Sequence, residues 1–180
     1  MTLSCILLAL ILDAFFGEPN WLWSKLQHPA VTFGKIITWG EKKYNNGINR
    51  KGKGVIFLSV IVIFLATVGY IIEQLPFSAI WKILIVAILL SHKSLIEHVS
   101  AVSLGLQKDI DHGRKAVAMI VGRDTATLNE SNVARSAIES AAENFSDGII
   151  APLFWFFIGG LPGVIVYKFV NTADSMIGYK

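Results

Sequence analysis

The sequence predicts an all-α, multi-pass membrane protein with a cytoplasmic helical segment. Three observations predict this class. The composition is 53% hydrophobic and 16% charged, against about 25% charged in an ordinary soluble domain. The runs 54–72 and 149–167 carry no charge. The basic residues are segregated along the chain, which suits a membrane better than a nucleic acid, so we expect no nucleic-acid partner. A single cysteine, Cys5, excludes a disulfide framework and a cysteine-rich metal site.

Four apolar stretches are candidate membrane helices, since about 20 helical residues cross a hydrocarbon core of about 30 Å. Residues 54–72 predict an uninterrupted span, and 149–167 predict one that prolines and glycines kink or break. Residues 76–91 contain a lysine that can snorkel to the interface, and they predict the return leg of a hairpin. Residues 2–16 are short and contain Asp13, so they predict a short span or a helix inserted partway.

The distribution of basic residues predicts the topology. The loop 17–53 holds seven Lys or Arg residues and two acids, so we expect it to be cytoplasmic or, in the same orientation, to form a basic patch on anionic lipid. The turn 73–78 has no basic residue and should face outward. The segment 92–148 then returns to the cytoplasm. Residues 149–167 either cross the membrane or re-enter it, and the sequence leaves both open. We expect one membrane-embedded domain, 1–180.

The cytoplasmic segment 92–148 has the pattern of folded helices. Apolar residues recur at helical spacing over 95–106. A turn is expected at 109–113, where the aspartates suit helix capping better than a metal motif. These features predict a helical hairpin on the inner membrane surface. A further helix is predicted over 131–147, with Gly148 as its stop signal.

An acidic stripe on this last helix is the most informative pattern. Arg135, Glu139, Glu143 and Asp147 are each four residues apart and share one broad helix face. Three carboxylates on one stripe repel each other, and Mg²⁺ held by one or two carboxylates together with substrate phosphates would relieve that repulsion. The alternative is a solvated face with an Arg–Glu pair. The neighbouring face predicted to pack comprises Ala134, Ala137, Ile138, Ala141 and Phe145.

Two other polar clusters are candidate site residues. Within the motif GRDT, Arg123 can bind phosphate and Asp124 can orient it or hold a metal, although a plain polar turn is the alternative. In the first loop, Asp13, Glu18 and His28 flank a short apolar segment, where charged groups are often functional. There the alternative is a turn anchored at the interface by tryptophans.

The last ten residues, NTADSMIGYK, group several polar side chains after the final apolar run. Asp174 and Lys180 are the charged members and are candidates for ligand contacts. A helix exit with polar caps explains the same pattern. No arrangement typical of a serine hydrolase can be assigned.

Long stretches of the chain resemble one known family. They are LDAFFGEPNWLW, HPAVTFGKII, SLIEHVSAVSLGL and the block from GRDT through NFSDGIIAPLFWFFIGGLPG to DSMIGYK. This sequence is similar to the CbiB/CobD-type adenosylcobinamide-phosphate synthases, which are membrane proteins of cobalamin biosynthesis. The resemblance covers nearly the whole chain and is weakest in 44–90. Members of the family are considerably longer, so the chain resembles their N-terminal portion.

The resemblance implies an acid–amine ligase. Such enzymes join a carboxylate of adenosylcobyric acid to aminopropanol or its phosphate, giving adenosylcobinamide or its phosphate. ATP drives the reaction, and ATP-dependent ligases usually convert the carboxylate to an acyl phosphate that the amine attacks. Positioning and charge neutralisation supply most of the catalysis. The implied cofactors are ATP and Mg²⁺, and the implied location is the cytoplasmic membrane with the active side inside.

From the chemistry that such a reaction needs, we assign hypothetical roles to residues at these motif positions. Glu143 and Asp147 would hold the metal, with Glu139 as a third ligand or base. Arg123 and Arg135 would neutralise phosphate, and Asp124 would orient the site. His28, Asp174 and Lys180 would contact ATP or substrate.

Two other classes of function fit the sequence. A transporter is one, because carboxylates beside membrane segments often mark ion paths. A non-catalytic scaffold that tethers other cobalamin-pathway enzymes to the lipid bilayer is another. Ion flux without ATP would favour the first, and co-purification of partner enzymes without ligase activity would favour the second.

Overall fold

The chain is built from helices, as the sequence predicts. The computed structural model describes residues 2–178, which contain helices and turns but no strand. The fold class is therefore confirmed. The helices are α1 (Thr2–Phe16), α2 (Asn20–Trp23), α3 (Pro29–Tyr44), α4 (Arg50–Gln74), α5 (Ser78–Leu89), α6 (His92–Lys108), α7 (Ile110–Ala118), α8 (Glu130–Phe145), a π-helical turn (Ser146–Ile150) and α9 (Ala151–Ile177).

Within the described residues, three helical stretches are long and apolar enough to cross a membrane: Arg50–Gln74, Ser78–Lys108 and Glu130–Ile177. The first is α4. The second joins apolar α5 to polar α6, and the third joins polar α8 to apolar α9. Of the most apolar 18 residues of α4, 11% are buried inside the protein, so most of α4 is left to face lipid. The shorter apolar helix α1 packs beside α5.

The last apolar helix, α9, is folded back on itself. At Gly160 the backbone leaves helical geometry (φ 60°, ψ −150°) and divides α9 into arms over 151–159 and 161–177. The Tyr167 hydroxyl donates to the Asp147 carbonyl at 3.2 Å across 20 residues, a separation of about 30 Å in a straight helix. The arms are therefore antiparallel, and the second returns to the level where the first began. This fold-back favours the re-entrant alternative over a straight crossing.

A carboxylate from α4 holds the point of reversal. Glu73 Oε1 accepts a hydrogen bond from the Leu161 amide at 3.1 Å and pairs with Lys82 Nζ at 3.1 Å. It thus caps the start of the second arm of α9, whose first amides have no partner within the helix. Because Glu73 and Lys82 form an ion pair, each charge beside the apolar core is compensated by the other. We call this end of the bundle the reversal end.

The helices meet again at the other end of the bundle, which we call the polar end. There Asp13, buried near the end of α1, accepts hydrogen bonds from the amides of His92 and Lys93 at 2.9 and 3.3 Å. It caps α6 from a distant part of the chain. The Lys93 ammonium in turn donates to the Phe15 carbonyl at 2.9 Å. The apolar bundle and the polar segment are joined by these contacts.

The polar segment packs as a helical hairpin, α6 and α7, with α8 across it. Its core consists of Val102, Val117, Val133 and Ala137. Asp109 alone separates the first two helices, and its carboxylate accepts from the His112 amide at 2.8 Å. The hairpin and the capping aspartate are as predicted, although the turn is shorter than 109–113.

Two expectations for α8 are wrong. Gly148 does not stop the helix, because the backbone continues through the π-helical turn into α9. The predicted packing face is right at Ala137, which is buried, but wrong at Ile138 and Phe145, which are 69% and 49% exposed. The buried face instead carries Ser136 and Ser140, whose hydroxyls donate to backbone carbonyls at 2.8 Å. Satisfied hydroxyls are tolerated in a core, so polarity is a poor guide here.

We predict that Gly160→Ala destabilises the protein by about 1–3 kcal/mol, because this backbone conformation is almost confined to glycine. A Cβ there would also lie 2.5 Å from Glu73 Oε1. Thermal unfolding in detergent, followed by circular dichroism, measures the effect. Gly159→Ala is the matched control, because a Cβ at Gly159 meets nothing within 4 Å. Equal melting temperatures for the two variants would contradict the requirement for glycine at the point where α9 reverses.

Candidate functional site

The π-helical turn creates an unusual backbone position at the polar end. A π turn breaks the regular pattern of helical hydrogen bonds, and such turns are frequent at functional sites. The carbonyl of Gly148 accepts from the Ser91 amide at 3.2 Å and from the Ser91 hydroxyl at 3.4 Å. The turn is therefore fixed against the junction of α5 and α6, and it sets the direction of the adjacent Asp147.

Asp147 is held by the returning arm of α9. Its Oδ2 accepts from Asn171 Nδ2 at 3.0 Å, and its carbonyl accepts from the Tyr167 hydroxyl. The carboxylate is partly buried and keeps its other oxygen for a ligand. The structure thus gives Asp147 a fixed position, which a metal ligand or an orienting residue requires.

Lys168 is a candidate site residue that the sequence reasoning missed. It is the only basic residue of α9 and is half-buried. Its charge interacts with the carboxylates of Asp13, Glu18 and Asp147. These acids come from two distant parts of the chain, so only the fold reveals the cluster. The available signal was a lone lysine near the end of an apolar helix, which marks a functional candidate.

Two arginines converge on one glutamate of α8. Arg123 donates to Glu139 Oε2 and Arg135 donates to Glu139 Oε1, each at 3.0 Å. Arg123 also donates to the Ser136 hydroxyl at 2.7 Å. The hydrogen bonds from Arg135 and Arg123 hold the pKa of the Glu139 carboxyl below its usual value. We call these three charged residues the arginine clamp.

The GRDT motif is an ordered turn that positions the clamp. Asp124 Oδ1 accepts from the Ala126 amide at 2.9 Å, which closes a local turn. The buried hydroxyl of Thr125 donates to the Arg114 carbonyl at 3.2 Å. Arg123 is therefore presented from a fixed backbone, as binding a ligand requires.

Two adjoining clefts lie at the polar end and share Ser94 and His98. One, of about 430 Å³, runs between α6, α8 and the turn before the GRDT motif, and its lining includes Ser91, Gly122 and Ser140. The other, of about 390 Å³, is lined by Phe16, Glu18, Pro19, Lys93, Ser94, Glu97 and His98. Together they connect the neighbourhood of the arginine clamp to that of Glu18.

The structure does not gather all the candidate residues from the sequence. Glu143 is exposed on α8. His28 begins α3, and its Nδ1 accepts from the Ala30 amide at 3.2 Å. Its ring packs on Trp23 with centroids 4.6 Å apart, an arrangement that orders the loop. Asp174 is exposed near the end of α9, and Lys180 lies outside the described residues.

The polar end carries carboxylates, which are of the kind that binds Mg²⁺, and arginines, which are of the kind that binds phosphate. Among residues 2–178, no group of three or more His, Cys, Asp or Glu side chains is arranged to hold a metal ion. Glu143 and Asp147 each carry a carboxylate, and Mg²⁺ in proteins is typically held by one or two carboxylates together with phosphate and water. Arginine is the preferred partner of phosphate oxygens.

The chain has clear relatives among known proteins. The "Cobalamin biosynthesis protein CobD" of Brucella anthropi is 51% identical over 185 residues, covering 96% of this chain and 56% of that protein. The protein of the same name from Rhizobium meliloti is 45% identical, covering 97% and 57%. The "Probable cobalamin biosynthesis protein CobD" of Pyrococcus furiosus is 39% identical, covering 96% and 60%.

The chain spans little more than half the length of these relatives. No solved structure matches it. The family described as "CobD/Cbib protein" matches residues 6–180. By this match and by the identity of its relatives, the chain belongs to the CobD/Cbib family.

Proposed function

We propose that this chain forms the nucleotide-binding part of a membrane ligase of cobalamin biosynthesis. The reaction is ATP-dependent amide-bond formation between adenosylcobyric acid and aminopropanol or its phosphate, on the cytoplasmic side of the cell membrane. The observation that supports it most is the arginine clamp, whose chain neighbours Gly122 and Ser140 line a cleft of about 430 Å³ at the polar end. The family membership supports the pathway, since relatives are named cobalamin biosynthesis proteins.

The chemistry explains why such a site is needed. A carboxylate is a poor acyl donor, because attack on it expels an oxide. Transfer of the terminal phosphoryl group of ATP to the carboxylate replaces that oxide with a phosphate. The amine then attacks the carbonyl carbon, phosphate leaves, and the amine loses a proton. The protein must therefore hold a highly charged nucleotide close to the carboxylate.

The arginine clamp suits the phosphates. Among the described residues, Arg135 uses only its Nε, so its two terminal nitrogens are available to a ligand. Glu139 aligns both guanidinium groups, and its lowered pKa makes it a poor base at neutral pH. We therefore assign Glu139 to positioning rather than to proton transfer. Asp124 contributes by fixing the turn that carries Arg123.

Glu143 and Asp147 would hold Mg²⁺ on the nucleotide. When bound, the ion neutralises phosphate charge and orients the terminal phosphate. Asn171 keeps the Asp147 carboxylate in place, and Lys168 offsets the negative charge that accumulates with Asp13 and Glu18. Asp174 and Lys180 remain candidates for substrate contacts.

The direct test uses the full-length protein in liposomes with ATP, Mg²⁺, adenosylcobyric acid and aminopropanol phosphate. The expected result is the amide product by mass spectrometry, formed with stoichiometric ADP and phosphate. Ion flux without ATP, and no amide, would instead favour a transporter. Retention of other corrinoid enzymes without any turnover would favour a scaffold.

We predict that Glu143→Gln and Asp147→Asn each lower kcat/KM for Mg-ATP by about 100-fold, near the upper range for weakened metal sites. In Asp147→Asn the new side-chain amide oxygen can still accept from Asn171, so the fold should be kept. Glu130→Gln in the first turn of α8 is the matched control and should keep its activity. Wild-type turnover in either folded variant would exclude the metal assignment.

We predict an acid-sensitive contribution of the arginine clamp to stability. Because the pKa of Glu139 is lowered in the folded state, its pairing stabilises the fold above the usual glutamate pKa and is lost as the pH falls through the folded value. The melting temperature should exceed that of Glu139→Gln by a constant amount from about pH 5 to 8, and the difference should close at lower pH. Glu97→Gln controls for the loss of a carboxylate. A difference in melting temperature that widens in acid would contradict the stabilising role of the arginine clamp.

A further inference from the structure

A second groove lies away from the arginine clamp, where α3 ends, α4 begins and α9 ends. It encloses about 280 Å³. Its polar rim includes Glu41, Tyr44, Asn45 and Arg50, and its apolar wall consists of Ile37, Phe57, Leu58 and Ile177. The groove therefore has a polar mouth that leads onto an apolar surface, a shape that suits an amphiphile.

The surroundings of the mouth are strongly basic. Residues 41–53 contain five Lys or Arg residues against the single acid Glu41, and 42–72 contain no acidic residue. Lys43 Nζ lies 4.8 Å from the centre of the Trp39 ring, so a cation and an aromatic ring stand together beside the groove. Lys53 Nζ donates to the Asn46 carbonyl at 3.3 Å and draws the loop toward α4. This excess of positive charge would attract an anion.

The length of α4 places the mouth at a definite depth. The uncharged run 54–72 spans about 28 Å as a helix, close to the thickness of a hydrocarbon core. Arg50 and Lys53 lie just before this run and therefore fall in the headgroup layer. Phe57 and Leu58 lie one turn inside it, at the level of the acyl chains. The polar and apolar parts of the groove thus match the two parts of a phospholipid.

We propose that this groove binds one anionic phospholipid of the surrounding bilayer. Arg50 binds the phosphate, Tyr44 and Asn45 donate to headgroup oxygens, and an acyl chain lies along Phe57 and Leu58. Basic pockets between membrane helices are known to bind anionic headgroups in this way. The site is independent of the ligase proposal, because none of these residues belongs to the arginine clamp.

The test measures thermal stability of the full-length, delipidated protein in neutral detergent. Dioctanoyl phosphatidylglycerol should raise the melting temperature, and the increase should saturate as the lipid concentration rises. Dioctanoyl phosphatidylcholine and glycerol phosphate should not, which separates a site for anionic lipid from a site for zwitterionic lipid or free phosphate. A shift of equal size with phosphatidylcholine, or with glycerol phosphate alone, would overturn the proposal.

Two variants locate the site. Arg50→Gln should raise the half-saturating concentration of phosphatidylglycerol about tenfold, as expected for the loss of charge-assisted hydrogen bonds. Gly54 lines the groove, and a Cβ there meets nothing within 4 Å. Gly54→Leu should therefore fold normally, gain helix propensity and abolish the lipid-induced shift. Lys115→Gln, on α7, removes one charge elsewhere and should bind as the wild type. Unchanged binding by Gly54→Leu would overturn the proposed location.

Discussion

The hydrogen bond from the Leu161 amide to Glu73 is the interaction on which the rest of the structure depends. A chain that reverses within an apolar bundle exposes amides that lipid cannot satisfy. The Glu73 carboxylate satisfies one of them, and Lys82 neutralises that carboxylate. Because α9 can then return, Asn171 reaches Asp147 at the far end of the bundle. A charge pair at the reversal end thus determines the geometry of a site at the polar end.

At the polar end, hydrogen bonds join the apolar bundle to the polar segment. Asp13 from α1 caps α6, and Ser91 at the start of α6 binds the carbonyl of Gly148 in the π turn. Such contacts between parts distant in sequence can form only when both parts are in place. The clefts therefore lie at a boundary that hydrogen bonds hold together, which suits the nucleotide site that we propose.

Features that depend on local sequence patterns could be predicted, whereas features that depend on contacts between distant residues could not. Uncharged runs predict the helical class, which is confirmed, and the Arg135–Glu139 pair that belongs to the solvated-face alternative is present. The fold-back could not be predicted, because glycine and proline mark a break in α9 without giving its direction. Lys168 was missed because its acidic partners lie far away in sequence. The buried face of α8 was misjudged because Ser136 and Ser140 find their hydrogen-bond partners only in the folded chain.

Acidic and basic side chains lie on different sides of the polar end, and one class of ligand complements this arrangement. On one side, the carboxylates of Asp13, Glu18 and Asp147 interact with Lys168, and Lys93 lines the cleft beside Glu18, so the three carboxylates outnumber these two cations. On the other side, two arginines face Glu139, which leaves an excess of positive charge. Glu18 lines one cleft, and Gly122 and Ser140, the chain neighbours of Arg123 and Glu139, line the other. A ligand that joins a cation to an anion complements both, whereas a simple cation or anion complements only one. Among common ligands of enzymes, a magnesium-bound polyphosphate has this polarity.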